Sequence, residues 1–196
     1  YRQLPFAKRL VNALVLAGGT PGVTPEEIDR VLAPRGILIA PSSVVVPAQF
    51  KGLGWKTLAE ELGDVLDPDW FAFRKPWPKS LDFWTHPRHG PDGNAVSNDQ
   101  EVQPPRRVQW VAAAAREISN MVSAGGRNYY GGVWTRDAFN GLRLWQRELN
   151  PPPNAGGYGF RYARASVQPV AAGDLLLVVT DGQTIALDGC TGKPVG

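Results

Sequence analysis

The chain has 196 residues, of which 43% are hydrophobic and 20% charged, and it carries a formal net charge of +3. Its single cysteine, Cys190, excludes an internal disulfide and a zinc site built on several cysteines. Basic residues form no run of five or more, so we expect no nucleic-acid partner, and no apolar run reaches the ~20 residues of a membrane-spanning helix. The 18 prolines and 22 glycines predict many turns and irregular connections.

The first fifty residues carry the pattern of a strand, a helix and a second strand. The apolar run of residues 10–17 is typical of a strand buried on both faces of a parallel sheet, and Gly-Gly follows it. Thr24, Pro25 and Glu27 then predict a helix start, with Thr24 as the N-cap and Glu27 completing a capping box. The apolar run of residues 37–40 predicts the second strand. This order predicts a βαβ unit with a right-handed crossover.

The next thirty residues have a weaker pattern. Residues 55–62 place apolar side chains on one side and predict a short helix. Prolines crowd the segment that follows, and proline blocks both a helix and a central strand. We therefore expect a linker that wraps over a surface, with a boundary between two modules near residue 75.

Beyond the linker, the pattern changes to short strands separated by turn residues. Residues 121–130 predict a strand, a Gly-Gly turn and a second strand, and residues 167–179 repeat this plan about fifty residues later. Residues 137–145 match residues 188–195 in the same way. A repeat of this length, with a turn between two strands in each half, is typical of a four-stranded propeller blade.

The repeated turn resembles the blade motif of pyrroloquinoline-quinone-type β-propellers. Residues 82–97 resemble the segment that leads into such propellers, and residues 106–110 resemble the strand before the first blade. In this motif Asp with Asn or Thr tightens a turn, Gly supplies a positive φ, and Trp packs between neighbouring blades. The matching residues are Asp137, Asn140, Gly141 and Trp145 in the first repeat, and Asp188, Thr191 and Gly192 in the second.

The first fifty residues resemble the carboxyl-terminal half of a class I S-adenosylmethionine methyltransferase. The resemblance lies in the Leu-Pro-Phe of residues 4–6 and in the helix-to-strand corner of residues 30–38. Arg35 stands where the family usually has its first glycine, and Lys8 stands where an acidic residue is common. The family's glycine-rich cofactor loop and ribose-binding acid belong to the half of the domain that this chain lacks.

The expected fold class is therefore mixed. Residues 1–50 are expected to form the α/β, Rossmann-like portion of a methyltransferase-like domain, and residues 51–80 a wrapping linker. Residues 81–196 are expected to be all-β, forming the lead-in segment and about two blades of a partial quinoprotein-type β-propeller. The combination resembles fusions in large bacterial proteins, particularly planctomycete ones. The absence of an initiator Met suggests processing or truncation, and because only parts of two modules are present, we expect the chain to be a fragment of a larger protein.

The two histidines, His86 and His89, are the weak metal-site candidates, because they stand three residues apart beside Asp82 and Asp92. Pro87 prevents their presentation on a helix, and no third ligand is evident. A turn held by histidine hydrogen bonds is the favoured interpretation. We expect no metal site and no catalytic residue in this chain.

Two further residue classes have a catalytic and a structural interpretation. The carboxylates Asp82, Asp92, Asp99 and Asp137 could serve acid–base chemistry or bind calcium, but their Gly, Asn and Pro neighbours favour turn capping. Tryptophans could form a stacking surface for a carbohydrate or a quinone. Trp110 and Trp145 stand at expected strand positions, which favours packing between blades.

The favoured function is a non-catalytic propeller module for binding or assembly in a larger extracytoplasmic protein, periplasmic or extracellular. An alternative is part of an enzyme, either a methyltransferase or a quinoprotein dehydrogenase, whose catalytic residues lie outside this chain. Pyrroloquinoline quinone or S-adenosylmethionine would then belong to the parent protein. The remaining interpretation is a subunit whose exposed sheet edge pairs with partner chains, since propellers generally need about four to eight blades. The expected partners are further blades or other protein chains.

Overall fold

The computed structural model describes residues 3–17, 22–101, 108–112, 121–131, 134–149 and 169–196. The chain divides into two compact units, Tyr1–Pro78 and Lys79–Gly196, called unit 1 and unit 2 below. The described structure is mostly β, with three sheets and only short helices. No helix among these residues is long and apolar enough to cross a membrane.

Unit 1 contains one four-stranded sheet with strand order β1-β2-β4-β3. Strands β1 and β2 are parallel and are joined through helix α1, as the strand–helix–strand pattern predicts, whereas β4 runs antiparallel to both β2 and β3. The apolar core includes Ile28, Leu38, Phe50, Trp55 and Phe73. The elements are β1 (Val11–Val15), α1 (Pro25–Val31), β2 (Leu32–Pro41), α2 (Pro47–Gly52), β3 (Lys56–Thr57), α3 (Ala59–Leu62), a 3-10 turn (Gly63–Val65) and β4 (Trp70–Arg74).

Helix α1 begins as the sequence predicts, but its capping box is only half formed. The hydroxyl of Thr24 accepts a hydrogen bond from the backbone N–H of Glu27 at 3.3 Å, with Pro25 in the first turn. The Glu27 carboxylate is directed instead to Arg30, whose Nε donates at 2.7 Å, and to the backbone N–H of Leu4 at 2.6 Å. The predicted box is wrong in this half because a cation one turn further along attracts the carboxylate. These hydrogen bonds lower the pKa of Glu27 to about 2.

The other end of α1 is fixed by a buried lysine that the sequence did not point to. Lys75 Nζ lies 3.1 Å from an Asp29 carboxylate oxygen and donates to the carbonyl of Leu32 at 3.1 Å. Burial lowers the pKa of Lys75, against the opposing effect of Asp29. A cation at the carboxyl end of a helix is favourable, so Lys75 holds α1 against the sheet.

Two expectations for unit 1 are wrong in detail. Strand β1 is not buried on both faces, since Val15 is 58% exposed, and it lies at one end of the sheet rather than between two strands. The expected helix over residues 55–62 is helical only in Ala59–Leu62, since Lys56–Thr57 pair with β4. Pairing between distant segments overrides the local helical pattern here.

The segment expected to be a linker contributes a strand to the sheet of unit 1. Strand β4 pairs with β2 from Pro41 opposite Trp70 to Ile37 opposite Arg74. The prolines that suggested irregular structure flank this strand, so they do not interrupt its ladder of hydrogen bonds. The sequence missed β4 because its pairing partner lies some thirty residues upstream.

Unit 2 contains two antiparallel sheets, here called the first and the second sheet. The first has the order β5-β6-β7-β8 and the second β11-β10-β9, so neighbours along the chain are neighbours in each sheet. The predicted Gly125-Gly126 turn joins β5 and β6, and both glycines have positive φ, as a type I′ turn requires. The strands are β5 (Met121–Ala124), β6 (Arg127–Tyr130), β7 (Trp134–Asp137), β8 (Arg143–Gln146), β9 (Val170–Ala172), β10 (Leu175–Thr180) and β11 (Gln183–Asp188).

The two sheets of unit 2 share one apolar core, and the lead-in segment joins both of them. Trp84 pairs by backbone hydrogen bonds with Ser123 of β5, and the carbonyl of Thr85 accepts from Ala171 of β9 at 2.9 Å. The strand expected at residues 106–110 is not present in its described part, residues 108–110, and residues 106 and 107 lie outside the described residues. The predicted Gly-Gly turn at residues 18–19 and the start of the predicted strand at residues 167–168 also lie outside them.

Candidate functional site

The first repeated turn is built on the carboxylate of Asp137. Its Oδ1 accepts hydrogen bonds from the backbone N–H groups of Phe139 at 2.8 Å and Asn140 at 2.9 Å. Gly141 donates its N–H to the carbonyl of Asp137 at 3.0 Å, and Asn140 Oδ1 accepts from Leu142 at 3.0 Å. The aspartate and the asparagine therefore both satisfy backbone donors inside the turn.

The second repeated turn makes the same bonds with different side chains. Asp188 Oδ1 accepts from the backbone N–H groups of Cys190 at 3.1 Å and Thr191 at 2.8 Å, and Gly192 donates to the Asp188 carbonyl at 2.8 Å. Thr191 Oγ1 accepts from Lys193 at 3.3 Å, as Asn140 does from Leu142 in the first turn. Hydrogen bonds from the hydroxyl and backbone N–H of Thr191 lower the pKa of Asp188.

Backbone bonds outside the turns extend the equivalence to the strands. Ala138 donates to the carbonyl of Gly126 at 2.9 Å, and Gly189 donates to that of Asp174 at 2.8 Å. The turns are thus equivalent at a shift of 51 residues, from 138 to 189, and the preceding hairpins at a shift of 48, from 126 to 174. The two sheets are therefore structural repeats.

Each turn glycine lies against a tryptophan ring, an arrangement called here the Trp–Gly joint. A Cβ added to Gly141 would lie 2.3 Å from a ring carbon of Trp110, and one added to Gly192 would lie 2.6 Å from a ring carbon of Trp145. Both glycines have positive φ, 73° and 69°. The indole Nε1 of Trp145 also donates to the carbonyl of Gly189 at 2.9 Å. Glycine is required here by both backbone conformation and close approach.

A buried arginine, missed in the sequence, forms the polar link between the two sheets. Arg127 donates to a carboxylate oxygen of Asp174 at 3.4 Å, to the hydroxyl of Tyr129 at 3.5 Å and to the Sγ of Cys190 at 2.6 Å. Burial opposes the charge of Arg127, but Tyr129, Cys190 and Asp174 outweigh it and raise its pKa. Burial raises the pKa of Tyr129. Arg127 and Tyr129 stand two residues apart in β6, so strand alternation puts Arg127 on the same face as the buried Tyr129, and this spacing is the signal in the sequence.

The two histidines form a tight turn and bind different side chains. The backbone N–H and carbonyl groups of His86 and His89 exchange two hydrogen bonds of 3.1 Å. His89 Nε2 lies 2.8 Å from Asp82 Oδ2, and His86 Nδ1 lies 2.9 Å from Thr85 Oγ1. Among the described residues there is no group of three histidine, cysteine or carboxylate side chains that could hold a metal ion.

Asp82, Asp92 and Asp99, three carboxylates with a conceivable catalytic role, all accept from backbone N–H groups. Asp82 accepts from Phe83 at 2.7 Å and Asn98 at 2.6 Å. Burial alone would raise the pKa of Asp82, but these bonds and that from His89 outweigh burial and lower it. Asp92 accepts from the backbone N–H of Asn94 at 3.2 Å, and Asp99 accepts from the backbone N–H of Glu101 at 2.7 Å. The arrangement orders loops through their peptide groups.

No protein-family model, curated protein or solved structure matches the chain. The candidate site of unit 2 is therefore defined by its own geometry: two equivalent turns, each facing a tryptophan, and one polar link. These features join one repeat to another.

Proposed function

We propose that unit 2 is a non-catalytic module of the quinoprotein-type β-propeller class, acting in binding or assembly within a larger extracytoplasmic protein, periplasmic or extracellular. The single observation that carries this proposal is the repeated Trp–Gly joint. Trp110 lies on Gly141 and Trp145 lies on Gly192, so the same contact recurs from one repeat to the next.

The strand arrangement supports the class of the module. The first sheet is a four-stranded antiparallel meander, and the second repeats its first three strands. A bridge between Leu187 and Pro194 stands where a fourth strand would pair. Repeats of about fifty residues that stack through one shared core are typical of radially repeated β-proteins. The expected partners are further blades of the parent protein or other chains.

The use of the motif side chains supports a role in binding or assembly rather than in catalysis. Asp137 and Asp188 each accept two backbone N–H groups within their own turns. A quinone-dependent dehydrogenase needs carboxylates directed toward a bound calcium ion and cofactor. Carboxylates that accept hydrogen bonds within turns are poorly placed for that chemistry, so neither pyrroloquinoline quinone nor its calcium ion is assigned to this chain.

The proposal is tested by ligand binding and by intact mass. Equilibrium dialysis of the 196-residue chain against pyrroloquinoline quinone with Ca²⁺ should show no saturable binding, with bovine serum albumin as a control for non-specific uptake. The polypeptide from its natural source should have a denatured mass well above 21.3 kDa. Saturable, calcium-dependent quinone binding would favour the enzyme alternative. A natural mass of 21.3 kDa would contradict the proposal that the chain belongs to a larger protein.

One observation favours the alternative of an enzyme whose catalytic residues lie elsewhere. The corner between α1 and β2 contains Arg35, with φ of 67°, and Gly36, where an added Cβ would lie 2.7 Å from the carbonyl oxygen of Ala33. A positive φ favours glycine, so the backbone at Arg35 would suit the glycine found at this corner in the methyltransferases that the segment resembles. Dialysis of the chain against S-adenosylmethionine should show no binding, whereas the parent protein should bind it if this alternative holds.

A further inference from the structure

The Trp–Gly joint by itself does not distinguish one repeat from the other. Gly141 and Gly192 both have positive φ, and each lies against a tryptophan ring. A tryptophan on one sheet is therefore compatible with the turn glycine of either repeat. Because the two turns are equivalent, a preference for one of them has to come from residues that differ between the repeats.

The first sheet carries such residues in strand β6. Arg127 and Tyr129 stand two positions apart, so both lie on the face that packs against the second sheet. Both are buried, with exposed fractions of 8% and 0%. At the hairpin shift of 48 residues, the equivalent positions in the second sheet hold Leu175 and Leu177. Arg127 and Tyr129, called here the β6 pair, are therefore a feature that the second sheet does not repeat.

The guanidinium of Arg127 bonds to two groups that the first repeat lacks. It lies 3.4 Å from a carboxylate oxygen of Asp174 and donates to the Sγ of Cys190 at 2.6 Å. The equivalent residues of the first repeat are Gly126 and Phe139, at shifts of 48 and 51 residues. Neither of these has a side-chain acceptor. Against a turn of the first-repeat type, the guanidinium would stay buried and lose both acceptors, which is costly.

The phenol of Tyr129 approaches a position where only the second repeat has a glycine. A Cβ added to Gly189 would lie 2.4 Å from the Tyr129 hydroxyl oxygen and 3.3 Å from a guanidinium nitrogen of Arg127. The equivalent residue of the first repeat is Ala138, which already carries that Cβ. A turn of the first-repeat type would therefore clash with the β6 pair.

We infer that the β6 pair determines which repeat packs on the first sheet: it selects a turn with the acceptors and the glycine of the second repeat and excludes a turn of the first-repeat type. This inference rests on the proposed function as an assembly module. A buried charge that only the correct neighbour pairs, together with a clash against the wrong one, is an effective means of discrimination. Repeats held by the same Trp–Gly joint are thereby placed in a fixed order.

The test converts the second repeat to the first-repeat type within the 196-residue chain. Asp174→Gly and Gly189→Ala together introduce the residues that the first repeat has at these positions. This conversion should lower the folding equilibrium constant of unit 2 at least about 30-fold, because a buried cation loses an acceptor and an added methyl group clashes. Urea unfolding followed through the backbone amide NMR signals of β6 and β10 measures this constant for unit 2.

The same conversion is then made in a chain without the β6 pair, carrying Arg127→Leu and Tyr129→Phe. Its cost should fall at least about tenfold, because the buried charge and the phenol oxygen are gone. The contact of the added methyl group with the carbonyl of Asp174 is present in both chains and cancels in the comparison. Arg143→Leu, at an exposed arginine of β8, is the matched control, and in that chain the conversion should cost as much as in the wild type.

An equal cost with and without the β6 pair overturns the inference, because the pair would then contribute packing and no selection. If the converted chain has no folded unit 2, Asp174→Gly alone makes the comparison, and its cost should fall at least about threefold in the presence of Arg127→Leu. Equal costs there overturn the inference as well. The proposed function is judged separately by quinone dialysis and by the natural mass, and neither depends on the β6 pair.

Discussion

The two repeated turns of unit 2 make the same hydrogen bonds in different surroundings. Asp137 is only 8% exposed, whereas the side chains around Asp188 are more open to solvent. The tryptophan of the first turn comes from residues that form no strand, and that of the second comes from strand β8. Local residue choice therefore specifies the turn, and the neighbouring element determines how deeply the turn is buried.

The largest effect is expected from removing the tryptophan of the second turn. Trp145→Ala empties a buried site and removes the bond to Gly189, and such substitutions cost about 3–5 kcal/mol. Urea unfolding measures the free energy of unfolding. Trp134→Ala, on the opposite face and only partly buried, is the control and should cost clearly less. Equal losses would mean that the Trp–Gly joint contributes nothing beyond ordinary packing.

A smaller effect is expected from filling the space above the turn glycines. Gly192→Ala and Gly141→Ala combine a disfavoured positive φ with a clash against a tryptophan, and should each cost about 2–4 kcal/mol. Gly173→Ala is the matched control, because Gly173 has φ of 62° but open space around its Cα, and should cost about 1 kcal/mol. Thermal unfolding measured on all three separates backbone strain from the clash. The comparison fails if Gly173→Ala costs as much as the others.

The pH dependence of the second turn is a finer test. Because the pKa of Asp188 lies below its ordinary value of 3.8, the ionised carboxylate stabilises the turn above pH 3.8, and this stability is lost as pH falls through the lowered pKa. Carboxyl-carbon NMR should find a pKa below 3.8 in the wild type. Thr191→Val removes one donor and should move it upward. An unchanged titration in Thr191→Val would show that the hydroxyl does not hold the charge.

The smallest effect is expected at a position where the repeats differ in polarity. Thr135 is fully buried and its hydroxyl has no hydrogen-bond partner among the described residues, whereas the equivalent position 186 in the second sheet is alanine. Thr135→Val should be neutral or stabilise the fold by up to about 1 kcal/mol in urea unfolding, because it removes an unsatisfied polar group. A loss above about 1 kcal/mol would reveal a partner for the hydroxyl, such as a bound water.

The predictions from sequence succeeded where a feature depends on neighbouring residues. Thr24 was identified as an N-cap, and Gly125 with Gly126 as a hairpin turn, because side-chain bonds and positive φ act within a few positions. They failed where partners lie far apart in the chain. The local pattern of the segment that contains β4 predicts a linker, and the burial of Arg127 depends on Asp174, a residue 47 positions away in the other sheet.

The sequence by itself determined the α1 start, the hairpins and the two equivalent turns, including the residues that build them. Only the tertiary structure decided which ring covers which glycine, which face of each sheet packs, and where Lys75 and Arg127 find their partners. The physical reason is the distance along the chain over which each kind of interaction acts. Turn chemistry acts over about four residues, whereas burial and the pairing of charges depend on contacts between segments whose separation no local pattern encodes.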